Sequence, residues 1–386
     1  MRSIHRAALI MTTLCLAACG GETPAPQPPP PPPPVATAAP APPPADTTPP
    51  PPPKPVLADL IPQALKDIGD AFNAHDAKKL ASYHTEDCIV AGYGEPDAHG
   101  REEIERRLQG FFDAFGDVKS AALRVWVKGN IVVQEIAWSG TMTGDMKAGP
   151  MSIKASKKPA GGLRVHVAWF NDDGLVKELH HYADNAGLLA QMQGKPGAPP
   201  VPVLPTNSPE AHFSKGNPDE DKLVDWAKSG IDTYNKDDAK AAAATVADDG
   251  DYFVNISNKP AFKGKKELAK EWDNWFKAFP DQKWAASNIW GIDGFAIGES
   301  TMTGTQKGKL GPLPPSNKQV SNWHWLTILQ PNADGKIQHA WDYANLVEMM
   351  MQTGAIKPPG EKAAAAKAPP AKGAAPAAPA AVPEKK

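Results

Sequence analysis

The sequence predicts an α+β protein of two tandem cone-shaped domains, each with N-terminal helices packed on a curved antiparallel sheet. Three observations carry this. The stretch from Trp275 to Gly354 has a weaker copy upstream, with offsets drifting only between 160 and 164 residues, and such self-similarity settles organisation before any residue is asked about chemistry. Within each copy, helix-period apolar residues come first and long strand-like runs follow, the order of an α+β unit. Most of the 43 prolines lie outside the copies, leaving two compact units of ordinary domain size.

Taken in order, residues 1–19 read as a secretory segment. Arg2 and Arg6 precede the apolar run AALIMTTLCLAA, too short to span a bilayer in a mature chain. The run ends in Leu16-Ala17-Ala18-Cys19, which resembles the bacterial lipobox and so implies a lipid anchor on Cys19; an ordinary cleaved signal is the alternative. Gly20 after the cysteine leans, by resemblance to enterobacterial sorting, towards the outer membrane, facing the periplasm. Residues 20–55 form a spacer, with 19 prolines between Thr23 and Pro55, a composition that favours extended polyproline II over a packed core. Residues 357–386 form an Ala/Pro/Lys-rich tail with six lysines and two glutamates, read as disordered. The net charge of −2 gives no reason to expect nucleic-acid binding.

The first domain is placed at residues 56–195 and the second at 218–356, with a proline-rich connection at 196–217. Leu60, Ile61, Ala64, Leu65, Ile68 and Phe72 recur at helical period, matched by Leu223, Ala227, Ile231 and Tyr234. A second amphipathic helix follows in each copy: Ile104, Leu108, Phe111, Phe112 and Phe115, then Leu268, Trp272, Trp275, Phe276 and Phe279. Strands are expected at 121–128, 131–143, 162–170 and 175–184, and at 283–290, 294–303, 319–329 and 336–345, divided by turn pairs such as Asp173-Gly174 and Asp334-Gly335. A bent sheet closed by helices leaves a conical pocket for a small molecule. Cys88, alone once Cys15 and Cys19 are set aside, reads as a buried strand residue; no Cys/His spacing resembles a metal site, and no cofactor is implied.

These residues resemble the ester cyclase branch of the SnoaL-like polyketide cyclases, within the nuclear transport factor two-like superfamily. The second copy carries Ala278-Phe279-Pro280-Asp281, Thr301-Met302-Thr303-Gly304, Pro314-Pro315-Ser316-Asn317-Lys318, Asp334-Gly335-Lys336-Ile337 and Gln352-Thr353-Gly354 in the family's order. The histidine of the family's G-T-H-T-G falls on Met142 and Met302. The family's aspartate, thought to be the general acid/base, falls on Asp184 in the first copy and Asn345 in the second. The resemblance therefore makes Asp184 the catalytic candidate and leaves the second copy without that group.

Strand alternation puts His180, Tyr182 and Asp184 on one face and His181 on the other. One reading makes Asp184 a base, with His166, His180 or Tyr182 polarising or orienting a carbonyl substrate. Another makes Asp184 the N-cap of the helix-like run that follows. In the second copy Trp341, Tyr343 and Asn345 occupy the matching strand. Trp323, Trp325 and Trp341 are ligand candidates because they lie on strands, whereas Trp272 and Trp275 read as core. Three functions are weighed: an envelope protein binding a small apolar or aromatic ligand without turnover; a cyclase, isomerase or hydrolase working through Asp184; and an interaction scaffold. The duplication further suggests that the copies pack sheet to sheet as an internal pseudo-dimer.

Overall fold

The computed structural model describes residues 56–148, 151–257, 259, 261–311 and 313–356. The secretory segment with Cys19, the proline spacer and the lysine-rich tail lie outside the described residues. None of the described helices is long and apolar enough to cross a membrane.

In the first repeat, helices α1 (Leu57–Asn73) and α2 (Ala77–Ser82) precede β1 (His84–Ala91) and β2 (Ala98–His99). Then come α3 (Gly100–Ala114), β3 (Lys119–Lys128), β4 (Ile131–Thr141), a small hairpin of β5 (Met146–Ala148) and β6 (Met151–Ile153), β7 (Pro159–Phe170), β8 (Val176–Ala183) and α4 (Asn185–Gln193). The connection contributes β9 (Glu210–Phe213). The second repeat runs α5 (Pro218–Tyr234), α6 (Ala239–Ala243), β10 (Val246–Val254), β11 (Phe262–Lys263), α7 (Gly264–Ala278), β12 (Lys283–Ile292), β13 (Phe295–Thr305), β14 (Gln319–Pro331), β15 (Ile337–Ala344) and α8 (Leu346–Thr353).

The four long strands of each repeat are antiparallel neighbours, in the orders β8-β7-β4-β3 and β15-β14-β13-β12. Beyond the expected strands, β1 and β10 add alongside β8 and β15 in parallel, and β9 pairs in parallel with β3. Part of the proline-rich connection is thus a strand of the first sheet. Bulges at equivalent points, Ala122/Arg124 and Ala286/Asn288, increase the local bend and curl each sheet around its helices.

The hydrogen bonds also correct one alignment between the repeats. Thr141 N donates to Asp117 and Thr143 N to Ala114 O; Thr305 N donates to Asp281 and Lys307 N to Ala278 O. Ser139-Gly140-Thr141-Met142-Thr143-Gly144 is therefore structurally equivalent to Thr303-Gly304-Thr305-Gln306-Lys307-Gly308, four residues beyond the textual match. The partner of Met142 is Gln306, and Met302 occupies the place of Trp138.

The helices cover one face of each sheet. In the first repeat Ile61, Phe72, Ile104, Phe112 and Phe115 are buried beneath the sheet, and Leu268, Trp272, Phe276 and Phe279 do the same in the second. Cys88 is fully buried in β1, where burial pushes its thiol up to about 12, consistent with a packing role. The opposite faces of the two sheets share one core: Trp126, Val133, Val165, Val167 and Tyr182 meet Ile292, Phe295, Ile297, Leu326, Ile328 and Tyr343.

Candidate functional site

Each sheet has two apolar faces, one turned to its own helices and one to the other repeat. On β7 the side chains of Arg164 and His166 point into the cone while Val165 and Val167 enter the shared core. On β8, Leu179, His181 and Ala183 line the cone, and Tyr182 enters the shared core. The expected alternation holds through Ala183, with His180 and Tyr182 on the face turned away from the cone; Asp184, beyond the strand end, does not share that face but borders the cone with His181. His180 Nδ1 lies 2.6 Å from Glu299, and Tyr182 donates to the same carboxylate at 2.8 Å. Neither can meet a substrate inside the first cone.

Asp184 stands one residue beyond β8, where the chain turns into α4. Its side chain accepts from Ala186 N at 3.2 Å and Gly187 N at 3.0 Å, which makes it the N-cap of that helix. It also borders the cone. Burial raises its carboxyl to about 6, and the two amide hydrogen bonds only partly oppose this. Cap and cavity wall are therefore the same residue.

The floor of the first cone is basic. His166 Nε2 and His181 Nδ1 are 2.9 Å apart. Burial holds both rings neutral, with the Arg164 charge adding to the effect: His181 falls to about 3 and His166 well below the ordinary range. Arg164 lies between the sheet and Phe72, its guanidinium carbon 4.9 Å from the ring centre. Its Nε is buried without a partner among the described residues, and burial lowers it only to about 10, so it stays charged at neutral pH. Phe72, Leu108, Phe111, Trp138 and Ile136 supply apolar walls. The space measures about 2590 Å³, beyond the roughly 300–1,000 Å³ of a single small-ligand pocket, and it opens along α3 and the proline-rich connection.

The second cone measures about 790 Å³. Of the residues expected to hold a ligand there, Trp325 lines it. Trp323 is fully buried in packing and donates to Asn345 O at 3.0 Å. Trp341 turns to the other repeat, where the Arg124 guanidinium sits 3.6 Å from its ring centre. Tyr343 enters the shared core and donates to Glu135. Asn345 caps α8 and donates to Tyr93 O at 2.6 Å. Met142 and Met302 are fully buried core residues. Trp272 and Trp275, read from the sequence as core, do pack in the helix-side core and also line the cone. Trp341 and Tyr343 thus face the other repeat, whereas Trp323 and Met302 share the helix-side face with Trp325 and are taken up by packing.

Sequence reasoning passed over Arg164, His181 and Asp342. The signal for Arg164 was its parity with His166, two residues along the same strand; the β7–β8 register, which pairs His166 with His181, adds the third. Among the described residues no group of three or more His, Cys, Asp or Glu converges as metal ligands.

The SnoaL-like polyketide cyclase family model matches residues 63–192 and 226–353. A candidate SnoaL-like polyketide cyclase from Jannaschia sp. CCS1 is 18% identical, covering 36% of this chain and 96% of its own, with a TM-score of 0.33. AclR, a candidate hydroxylase from Streptomyces galilaeus, is 19% identical over 36% of this chain and 85% of its own, TM-score 0.32. IdmH, a candidate polyketide cyclase from Streptomyces antibioticus, is 21% identical over 34% of this chain and 97% of its own, TM-score 0.30. No curated protein matches the chain. With the family model met twice, over more than half of its length, the chain belongs to the SnoaL-like polyketide cyclases and carries their domain in tandem.

Proposed function

We propose that the first repeat binds an apolar small molecule with an anionic head, and that the chain does so as a lipoprotein anchored through Cys19 to a bacterial outer membrane. The observation that carries the binding reading is Arg164: a half-buried cation lining an apolar cone, its Nε shut off from solvent without a partner and no carboxylate among the described residues offsetting its charge. Such a charge is costly unless a ligand pairs with it, and a carboxylate fits the guanidinium fork. The two neutral imidazoles beside it add hydrogen-bonding capacity without adding charge. The two repeats act as an internal pseudo-dimer, a reading supported by the shared core and by tyrosine–glutamate contacts that run in both directions.

The test is a matched pair of ligands. Decanoate should bind the full chain at least tenfold more tightly than decan-1-ol, and Arg164→Met should erase the difference. Equal binding of acid and alcohol by the parent chain would refute the reading. Loss of palmitate labelling in Cys19→Ser checks the anchor.

A second reading, catalysis through Asp184, is favoured by one observation: its carboxyl is raised to about 6 at the edge of the cone, near the range useful for acid/base work. A small molecule retained only by Asp184→Asn, after exposure to an envelope extract, would support turnover. Identical retention by parent and variant would exclude it.

A further inference from the structure

The second cone carries a chemistry opposite to the first. Counting along the paired strands from the caps Asp184 and Asn345, the positions of Arg164, His166 and His181 are held by Trp325, Thr327 and Asp342. Where the first cone has a cation flanked by neutral rings, the second has a carboxylate.

Asp342 accepts a 2.6 Å hydrogen bond from Thr327 Oγ1 on one oxygen and a 2.9 Å bond from Tyr252 OH on the other. Burial raises its carboxyl to about 6, and the two hydroxyls partly oppose this, so it is largely ionised at neutral pH. No cation among the described residues pairs with it. Lys259, at the rim, is committed to Glu267 at 2.7 Å.

The walls are aromatic. Tyr234 meets Trp272 and Trp284 edge to face, and Trp325 meets Trp275 and Trp284 the same way, with ring centres 5.3–5.8 Å apart. The indole N–H groups of Trp275 and Trp284 are both spent on Gln282 Oε1, at 2.6 and 2.9 Å. Their dipoles are thus engaged outside the cone. Trp325 differs: its Nε1–H is buried and finds no acceptor among the described residues.

We propose that the second cone is a binding site for an organic ammonium compound that also carries a hydrogen-bond acceptor. The Asp342 carboxylate supplies the counter-charge, in a setting where screening by water is weak. The ring faces add cation–π attraction, which strengthens when the cation is desolvated. Trp325 Nε1–H meets the acceptor. A neutral ligand of the same shape leaves the half-buried carboxylate uncompensated.

The experiment titrates the full chain with choline, with benzyltrimethylammonium and with 3,3-dimethylbutan-1-ol, which has choline's shape and hydroxyl but no charge. Tryptophan fluorescence and calorimetry report binding. Choline is expected to bind at least tenfold more tightly than the neutral alcohol, and Asp342→Asn to bring that ratio within twofold while near-ultraviolet circular dichroism stays native. Trp284→Leu is expected to weaken both cations and leave the alcohol unchanged; it provides a second variant should Asp342→Asn fail to fold. Equal affinity for choline and the alcohol on the parent chain overturns the proposal, as does no binding of either cation at millimolar concentration or an undiminished ratio in folded Asp342→Asn.

Discussion

Tyr182 of the first repeat donates a 2.8 Å hydrogen bond to Glu299 of the second, and Tyr343 of the second donates to Glu135 of the first. The two tyrosines sit at the same strand position of their repeats, and so do the two glutamates. All four are almost wholly buried, so each hydroxyl satisfies a carboxylate that has no water to turn to.

Removing either hydroxyl leaves a buried carboxylate short of a donor. Tyr182→Phe and Tyr343→Phe are each expected to cost about 1–3 kcal/mol in urea denaturation. Because they serve different glutamates, the double variant should be additive within about 0.5 kcal/mol. A cost below the error of the measurement would mean that these contacts do not hold the repeats together.

The same interface makes stability depend on pH. Burial opposes charge on His180, but the hydrogen bond and charge of Glu299, with Glu178 behind them, outweigh it and raise the imidazole above 6.5. The folded state therefore holds the proton more tightly than the unfolded chain. That contribution is complete below about pH 6.5 and is lost as pH rises through the folded value. Urea midpoints should fall in the parent as pH rises above about 6.5, and His180→Gln should flatten the slope.

Two aspartates act in the acid range. Burial raises both Asp184 and Asp342 from 3.8 to about 6. Each contribution is complete below about pH 4 and disappears as pH rises towards 6, because ionisation is penalised only in the folded state. Asp342→Asn should remove part of the decline between pH 4 and 6, on the order of 1–3 kcal/mol. Matching midpoint curves for parent and variant would contradict these positions.

Asp184 also separates its two roles. Asparagine caps a helix about as well as aspartate, so Asp184→Asn should stay within about 0.5 kcal/mol of the parent at neutral pH or exceed it, whereas Asp184→Ala should lose about 1–2 kcal/mol. Thermal denaturation at pH 7 distinguishes them.

Arg164 stands in the fold at a cost that a ligand would offset. In the ligand-free chain Arg164→Met should raise stability by about 1–3 kcal/mol, since it removes an unpaired, half-buried charge while keeping the apolar stem. A destabilised variant would indicate a counter-ion for the guanidinium within the protein.

The two long helices and the four long strands of each repeat were legible because turn pairs such as Asp173-Gly174 and Asp334-Gly335 mark strand limits and the apolar period changes between them, whereas the short α2 and α6 were not. The pairing of β1 with β8 was not, since parallel strands far apart in the chain share no turn to set their register. The alignment of Met142 with Met302 failed for a related reason: Ser-Thr-Met-Thr-Gly is a better textual match than Gly-Thr-Gln-Lys-Gly, but the hydrogen bonds to Asp117 and Asp281 fix the latter. For the site, alternation grouped His180 with Tyr182 correctly. It could not say which face was the cone, because a second repeat makes both faces of the sheet apolar.

Arg164 and Asp342 occupy two interiors encoded by one chain. In an assembly of identical subunits every change to a pocket is made in all pockets at once, so two such interiors could not acquire opposite charge. Joining the copies end to end lifts that restriction: the tyrosines and glutamates at the junction keep their matched pairing while each hollow is free to drift towards its own occupant. Divergence of this kind can add a second specificity without sacrificing the first.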